Sequence, residues 1–163
     1  MIGTKVNVMK EIKWGLIFVV AIILWMIIER LAGLHTHNIQ YHAIFTNVFA
    51  LVAIVIYILA LRDKRASLPN EEMTWLQGFI SGLKIAVVVA VLSPAVQLLV
   101  HYVISPQFFP NMKNHAIESG MMSEDRAEKY FNLTSYMMQS AIGALVMGAI
   151  TAAIVAFFLK RRS

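Results

Sequence analysis

The stretch SEDRAEKYFNLTSYMMQSAIGALVMGAITAAIVAFFLKRR, residues 123–162, decides the fold class of this chain. It opens with a polar turn, carries neither proline nor charge from Tyr130 to Leu159, and closes on a basic cluster. An uncharged apolar run of about 20 residues or more can cross the hydrocarbon core of a bilayer as a helix. The stretch therefore predicts a membrane-spanning helix. We expect one continuous helix from Ser123 to about Lys160, extended beyond the bilayer on its outer side.

Small residues recur every four positions along this helix, and a pair with the same spacing occurs earlier in the chain. They are Ser140, Ala144, Gly148, Ala152 and Ala156 in the last helix, and Gly78 and Gly82 in the third apolar run. Four-residue spacing places such residues on one helix face. A face without bulk allows a second helix to approach closely inside a membrane. We predict that these residues pack helices together, within one chain or between chains.

The composition assigns the chain to the membrane class. It is 59% hydrophobic and 14% charged, whereas soluble domains average about 45–50% apolar and 25% charged residues. The net charge of +5 comes from basic residues at the ends of apolar runs, a pattern of topology signals and anionic-lipid contacts. We therefore expect the lipid bilayer as a partner and no nucleic acid. The absence of cysteine excludes disulfides and thiol catalysis.

Three further apolar runs complete an all-α integral membrane protein with four transmembrane helices. We predict a single domain over residues 1–163, with spans at about 12–34, 42–61, 75–104 and 130–160, and an outer loop at 105–129 that contains a short amphipathic helix. The first run is long for a signal peptide and no clean cleavage site follows it, so we expect an uncleaved span. Asn70 is the expected N-cap of the third helix.

Lysine and arginine counts predict the orientation of the chain. If the N-terminus is cytoplasmic, nine of these residues are inside and four are outside, with Lys84 left out because it lies within a span. The inner set is Lys5, Lys10, Lys13, Arg62, Lys64, Arg65, Lys160, Arg161 and Arg162; the outer set is Arg30, Lys113, Arg126 and Lys129. We therefore expect both termini in the cytoplasm and the chain in the inner (plasma) membrane of a bacterium.

The third apolar run carries the polar residues that could line a transport path. Lys84 is the only basic residue well inside a span, and intramembrane charges are functional candidates by default. Its long side chain can instead reach back to the interface, which is the favoured interpretation. Pro94 predicts a kink because it removes a backbone donor, and Gln97 on the same helix could line a wet cavity or bond to a neighbouring helix.

All five histidines lie on the predicted outer side. Among them His35, His37 and His115 are weak candidates for a metal site, since histidine with nearby carboxylates suits zinc. The favoured interpretation is solvated or packing histidines, because no dense ligand motif is present. Glu29, at the end of the first span, is expected to pair locally or to lie among headgroups. We find no catalytic constellation, so we predict neither an enzyme nor a cofactor.

Several short motifs, in order and spacing, resemble a known family. They are Lys13-Trp14-Gly15-Leu16, Leu61-Arg62-Asp63-Lys64, Gly78-Phe79 to Leu83-Lys84, Ser105-Pro106-Gln107-Phe108, Met122-Ser123-Glu124-Asp125 and the basic C-terminal tail. Over nearly the whole chain the pattern is similar to a bacterial family of small four-span membrane proteins, a domain of unknown function. The resemblance implies the fold and the membrane location, and it implies no activity or catalytic residue.

Three functions remain open at this point. The small-residue stripe favours a non-enzymatic protein that acts through helix–helix contacts, as a homo-oligomer or as an accessory subunit of another membrane protein. The first alternative is an oligomeric transporter or channel for ions or small solutes, based on Lys84, Pro94 and Gln97. The second alternative is a metal-binding protein at the outer face, based on the histidines.

Overall fold

The fold is a bundle of helices in a computed structural model that describes residues 8–161. Two basic residues of the orientation count, Lys5 and Arg162, lie outside the described residues. Within residues 8–161 there are six α-helices and no strand beyond one isolated bridge between Met73 and Arg161. The helices are α1 (Met9–Leu31), α2 (His42–Arg65), α3 (Trp75–Leu99), α4 (Phe108–Glu118), α5 (Glu124–Tyr130) and α6 (Leu133–Leu159).

Four of these helical segments are long and apolar enough to cross a membrane. They are Met9–Leu31, Ile39–Arg65, Trp75–Ile104 and Leu133–Leu159, each with a mean hydropathy of 2.2 or more in its most apolar window. The third segment includes a π-helical turn, Val100–Ile104, that continues α3. Their lengths match the bilayer core, so the chain is a multi-pass membrane protein.

The third helix is the centre of the bundle, and α6 packs closely along it. A Cβ atom built on Gly82 would lie 2.5 Å from Ala152 Cβ, and one built on Gly78 would lie 2.9 Å from Ala156 Cβ. Across the same interface, a Cβ atom on Gly148 would lie 2.5 Å from Ala86 Cβ. Small residues from both helices therefore face one another within this chain.

The start of α3 differs from the expectation for Asn70. That residue lies in a short 3₁₀ turn, Pro69–Glu71, with a positive φ of 54°. The helix is instead capped by Thr74, whose hydroxyl accepts from the Gln77 backbone N–H while the Gln77 side chain accepts from the Thr74 backbone N–H. This reciprocal capping box satisfies two donors at the helix start. Beyond it, α3 stays helical through Pro94 to Leu99.

The prediction of one continuous helix from Ser123 to Lys160 is wrong at its N-terminal end. The chain leaves the helical conformation at Phe131 and Asn132, which separate α5 from α6. Asn132 accepts from the Ser135 backbone N–H and donates to the Glu128 and Lys129 carbonyls. An asparagine that satisfies both helix ends favours the break over continuation. How far α6 projects from a bilayer stays a prediction.

One end of the bundle, here called the basic end, is joined by ion pairs between α1 and α2. Lys10 and Lys13 both donate to the Asp63 carboxylate, at 2.6 and 2.7 Å. Lys64 donates to the buried carboxylate of Glu11 at 2.8 Å, and Ser81 of α3 donates to the same oxygen at 2.9 Å. These contacts fix α1 against α2 and α3 at this end.

Candidate metal centre

At the opposite end, here called the histidine end, three titratable side chains meet between α1 and α2. Glu29 lies in the last turn of α1, His35 in the connecting loop and His42 at the first position of α2. The loop turns back through Gly33, whose φ of +75° favours glycine. All three side chains are buried, with exposed fractions of 1%, 0% and 8% for Glu29, His35 and His42. We call them the histidine–glutamate cluster.

The Glu29 carboxylate is held by donors on one oxygen. Its Oε1 accepts from the Trp25 indole N–H at 3.0 Å and from the Thr46 hydroxyl at 2.7 Å. Trp25 lies one helical turn earlier on α1, whereas Thr46 comes from the facing helix α2. These bonds orient the carboxylate and leave Oε2 directed at the histidines, 3.4 Å from His35 Nε2.

Thr46 also determines which nitrogen of His42 carries the proton. Its single hydroxyl proton goes to Glu29, so Thr46 Oγ1 acts as an acceptor towards His42 Nδ1, 3.0 Å away. This network assigns the proton to Nδ1 and a lone pair to Nε2. The Nε2 atom is buried and has no hydrogen-bond partner among the residues that the structure describes. An imidazole held in this way by a hydrogen bond on the other nitrogen is typical of metal ligands.

The second unpaired nitrogen of the cluster belongs to His35. Its Nδ1 is buried without a partner in residues 8–161, although burying an unpaired polar group destabilises a fold by about 1–3 kcal/mol. Its Nε2 lies 3.4 Å from Glu29 Oε2, which is long for a charge-assisted hydrogen bond of about 2.7–2.9 Å. The cluster is therefore incompletely satisfied by its own hydrogen bonds.

The arrangement of ligand atoms fits a transition-metal ion. One ligand atom from each of Glu29, His35 and His42 can be chosen so that all three lie within 4.8 Å of one another. Ligands at about 2.0–2.1 Å in a tetrahedron are about 3.3–3.4 Å apart, which is close to the 3.4 Å between His35 Nε2 and Glu29 Oε2. Because the three ligand atoms lie up to 4.8 Å apart, binding in such a tetrahedron would require them to approach one another by up to about 1.4 Å.

Aromatic packing covers the cluster. The Phe108 ring at the start of α4 lies 4.8 Å from the His35 ring and 5.0 Å from the His42 ring, centroid to centroid. Asn111 of α4 donates its side-chain N–H to the His35 backbone carbonyl at 2.8 Å. The helix between the third and last spans is thus docked on the cluster and limits access from that side.

A cavity of about 320 Å³ between the helices of the bundle adjoins the cluster. We call it the histidine cavity; it is lined by Met26, His35, His42, Thr46, Gln97, Val100, Phe108, Tyr130, Tyr136, Gln139 and Ser140. Its volume lies at the lower end of the range of small-molecule sites. It leaves room next to the histidines for a further ligand, such as water, on a bound metal ion.

Only one of the three predicted metal candidates lies in the cluster. His37 is exposed, with Nδ1 3.3 Å from the Thr36 hydroxyl, and His115 lies half-buried on α4. Sequence reasoning gave no ligand role to Glu29 or His42. Their positions, at the end of α1 and at the start of α2, could have indicated that they lie close together. A short loop between two helices brings those positions near one another.

The residues of the predicted polar path are not brought together. Gln97 lines the histidine cavity, whereas Lys84 and Pro94 do not. Lys84 is half-buried and makes no hydrogen bond or ion pair with the described part of the chain.

The small residues of α6 that were predicted to pack helices together differ in burial. Gly148, Ala152 and Ala156 are buried, while Ser140 and Ala144 are only partly covered.

The fold and the cluster define a four-span helical membrane protein with a buried carboxylate–histidine group at one end. Residues 13–161 match the family described as protein of unknown function (DUF4199). Because this match spans most of the chain, the protein belongs to the DUF4199 family, which confirms the resemblance seen in the sequence. Comparisons with curated proteins and with solved structures gave no match.

Proposed function

We propose that this protein binds a divalent transition-metal ion at the histidine–glutamate cluster. The observation that carries the proposal is the buried, unpartnered Nε2 atom of His42, which belongs to one cluster with the His35 ring and the buried Glu29 carboxylate. Buried polar atoms are nearly always paired, and a metal ion would supply the missing partner. This corresponds to the metal-binding alternative from the sequence, with His42 and Glu29 in place of His37 and His115.

Two imidazoles and one carboxylate select the class of ion. This ligand set binds zinc with one further position open, and it also binds ferrous iron in two-histidine, one-carboxylate sites. Hard cations such as calcium and magnesium prefer oxygen ligands only. We therefore expect zinc or ferrous iron to bind and calcium and magnesium not to compete.

The test is metal content and affinity in purified protein. The His42→Ala variant should lose stoichiometric metal, measured by inductively coupled plasma mass spectrometry after equilibration with zinc or, anaerobically, with ferrous iron. Glu29→Gln, which keeps the acceptor towards Trp25 and Thr46, should weaken binding at least tenfold in isothermal titration calorimetry, since a charged ligand is lost.

Matched controls are the two histidines outside the cluster. His37→Ala and His115→Ala should retain wild-type stoichiometry, because neither lies in the cluster. Metal-free wild-type protein after exposure to both ions, or equal losses in all four variants, would refute the proposal. Circular dichroism of each variant separates lost binding from lost folding.

We also propose the orientation with both termini in the cytoplasm and the histidine end outside. The basic end carries Lys10, Lys13, Lys64 and Arg65, which supports a cytoplasmic location by the positive-inside rule. Residence in the inner (plasma) membrane of a bacterium is part of this proposal. The metal site would then take its ion from the outer side.

Self-association and solute passage have less support from the geometry. Gly148, Ala152 and Ala156 are covered by α3 of the same chain, so they do not supply a face for a second copy. Lys84 and Gln97 line no common cavity among those flanking the cluster. A homo-oligomeric or accessory role through helix contacts therefore remains a proposal without a surface assigned to it.

A further inference from the structure

The histidine–glutamate cluster supplies fewer ligands than a closed metal site requires. Among residues 8–161, no fourth histidine, cysteine, aspartate or glutamate joins Glu29, His35 and His42 in the group of ligand atoms. Structural zinc sites use four protein ligands, whereas sites with three keep a position for water or another molecule. Ferrous iron on two histidines and one carboxylate also keeps open positions.

The histidine cavity is the space into which a free position would open. It has a volume of about 320 Å³ and is lined by His35 and His42 but not by Glu29. On the Glu29 side, Trp25 and Thr46 donate to the carboxylate and occupy its second oxygen. Room for an additional ligand therefore lies on the side of the two histidines.

Gln97 is the residue of this cavity that points to a bound ligand. Its side chain has an exposed fraction of 8%, it lines the cavity, and it makes no hydrogen bond with the described residues. Two other polar residues of the lining are paired: Thr46 donates to Glu29, and Ser140 donates to the Met137 carbonyl. An unpaired buried amide inside a membrane span is unfavourable, so a partner from outside the chain fits this position.

The lining of the cavity selects the chemistry of that partner. It includes no lysine, arginine, aspartate or glutamate, so no side chain there compensates a charge carried away from the metal ion. The Gln97 amide and the hydroxyls of Tyr130 and Tyr136, which have no partner in residues 8–161, can each donate and accept. Such groups suit a small uncharged molecule that also carries an N–H or O–H group.

We propose, on the basis of the metal site proposed above, that the bound ion keeps an exchangeable position open to the histidine cavity and that Gln97 hydrogen-bonds the ligand held there. The ligand class is a small uncharged molecule that coordinates through one nitrogen or oxygen lone pair and presents an N–H or O–H to the Gln97 side-chain oxygen. Water belongs to this class. Gln97 contacts the ligand and not the ion, so its loss leaves metal binding intact.

The test uses cobalt(II), which binds the same kinds of nitrogen and oxygen site as zinc and ferrous iron and whose visible absorption changes with its ligands. Imidazole is the probe, because one ring nitrogen can coordinate while the N–H on the other side of the ring donates to Gln97. We expect a saturable change in the spectrum of the cobalt-loaded protein on titration with imidazole. 1-Methylimidazole has no N–H and should bind about fivefold more weakly, the effect of one hydrogen bond.

Replacement of Gln97 by leucine separates the hydrogen bond from the coordination. Gln97→Leu should retain stoichiometric cobalt and bind imidazole and 1-methylimidazole with equal affinity. Gln40→Leu is the matched control, because Gln40 is exposed and lies outside the lining; it should keep the preference for imidazole. An undiminished preference in Gln97→Leu would overturn the role of Gln97.

Filling the cavity should close the open position without removing the ion. Ser140→Phe introduces a large ring at a lining position of α6 and should retain cobalt while it loses the spectral response to imidazole. Thr134→Phe, at an exposed position of the same helix outside the lining, should respond as wild type does. Equal responses of the two variants would contradict the assignment of the open position to this cavity.

Cobalt content, measured in each sample before and after titration, separates this inference from the proposed function. Wild-type protein that retains stoichiometric cobalt but shows no spectral response to imidazole would overturn the open position and leave the metal site intact. Wild-type protein that takes up no cobalt, zinc or ferrous iron would overturn the metal site itself, and the open position with it.

Discussion

At the scale of single residues, Thr46 connects the parts of the histidine–glutamate cluster. Its hydroxyl donates to Glu29 and accepts from His42, so one oxygen atom both orients the carboxylate and assigns the proton on the imidazole. Such outer contacts fix ligand orientation and charge. In the proposed metal site Thr46 is therefore a positioning residue and not a ligand.

Replacement of Thr46 by valine keeps the size of the side chain and removes the hydroxyl. We expect the affinity for zinc or ferrous iron to fall about 10- to 100-fold, which is the usual effect of losing a hydrogen bond that orients a metal ligand. Isothermal titration calorimetry measures the change. Thr134→Val is the control, because Thr134 is exposed and its side chain makes no hydrogen bond within the described chain; equal losses in the two variants would contradict the role of Thr46.

At the scale of helices, α6 has one glycine in a tightly packed interface and another with open space around it. A Cβ atom on Gly148 would lie 2.5 Å from Ala86 Cβ and 2.7 Å from the Tyr57 hydroxyl, whereas one on Gly143 would meet nothing within 4 Å. Both glycines lie in the same apolar run. Close packing on α3 therefore depends on the small residue at 148 and not on the one at 143.

Gly148→Leu should separate α6 from α3 and destabilise the fold. Overpacking of a tight interface destabilises proteins by about 1–3 kcal/mol, which unfolding in mixed micelles would measure as a lower midpoint. Gly143→Leu should leave the midpoint unchanged or raise it, because leucine has a higher helix propensity than glycine. A midpoint for Gly148→Leu at or above wild type would contradict this packing.

The break before α6 leads to a separate expectation. Asn132 caps α6 and bonds to the last carbonyls of α5, so Asn132→Ala should reduce stability by about 1 kcal/mol. Asn114→Ala is the matched control, since Asn114 is exposed and its side chain makes no hydrogen bond with residues 8–161. Thermal unfolding of both variants in detergent is the measurement; equal midpoints would show that the cap does not hold the break.

At the scale of the whole molecule, the two ends of the bundle are held by different chemistry. The basic end is fixed by ion pairs, including the buried Glu11 with Lys64 and Ser81. The histidine end is held by hydrogen bonds around the Glu29 carboxylate and by the aromatic ring of Phe108. Ion pairs therefore stabilise one end, and a cluster suited to a ligand occupies the other.

Loss of the cation at the basic end should be strongly destabilising. Lys64→Met leaves the Glu11 carboxylate buried without its ionic partner, and breaking a buried pair in this way lowers stability by about 3 kcal/mol or more. The double variant Glu11→Gln, Lys64→Met should recover much of the loss. Lys13→Met, which removes a half-exposed partner of Asp63, should change the unfolding midpoint little; a loss as large as that of Lys64→Met would contradict the distinction.

The orientation predicts opposite results for reporters at the two ends. A fluorescent protein fused after Ser163 should be bright, and alkaline phosphatase inserted after Gly120 should be active, because only the histidine end is expected outside. Gly120 is exposed in the turn between α4 and α5, with φ +71°. The reverse result would place the histidine cluster on the cytoplasmic side.

Much of the fold could be predicted from the sequence because hydropathy and helix length are local properties of the chain. The apolar runs that predicted four spans correspond to four long helices, and the small residues at 148, 152 and 156 lie where another helix approaches. The two predictions that were wrong, the N-cap at Asn70 and the continuous helix from Ser123, both concern helix ends, where neighbouring residues compete to cap the helix. Asn70 and Thr74 are both good capping residues, and the reciprocal bonds with Gln77 favour Thr74. The stretch around Asn132 is compatible with a helix until its side-chain bonds are considered.

By itself the sequence determined that this protein is helical and has four segments long and apolar enough to cross a membrane, because helix length and hydropathy are local properties of the chain. Only the tertiary structure decided that α3 is the partner of α6 and that Glu29, His35 and His42 share one buried site. In a helix that is apolar on every side, no pattern marks which face turns inward. The rotation of each helix and the turn at Gly33 therefore determine which polar groups meet, and these depend on the packing of the whole bundle.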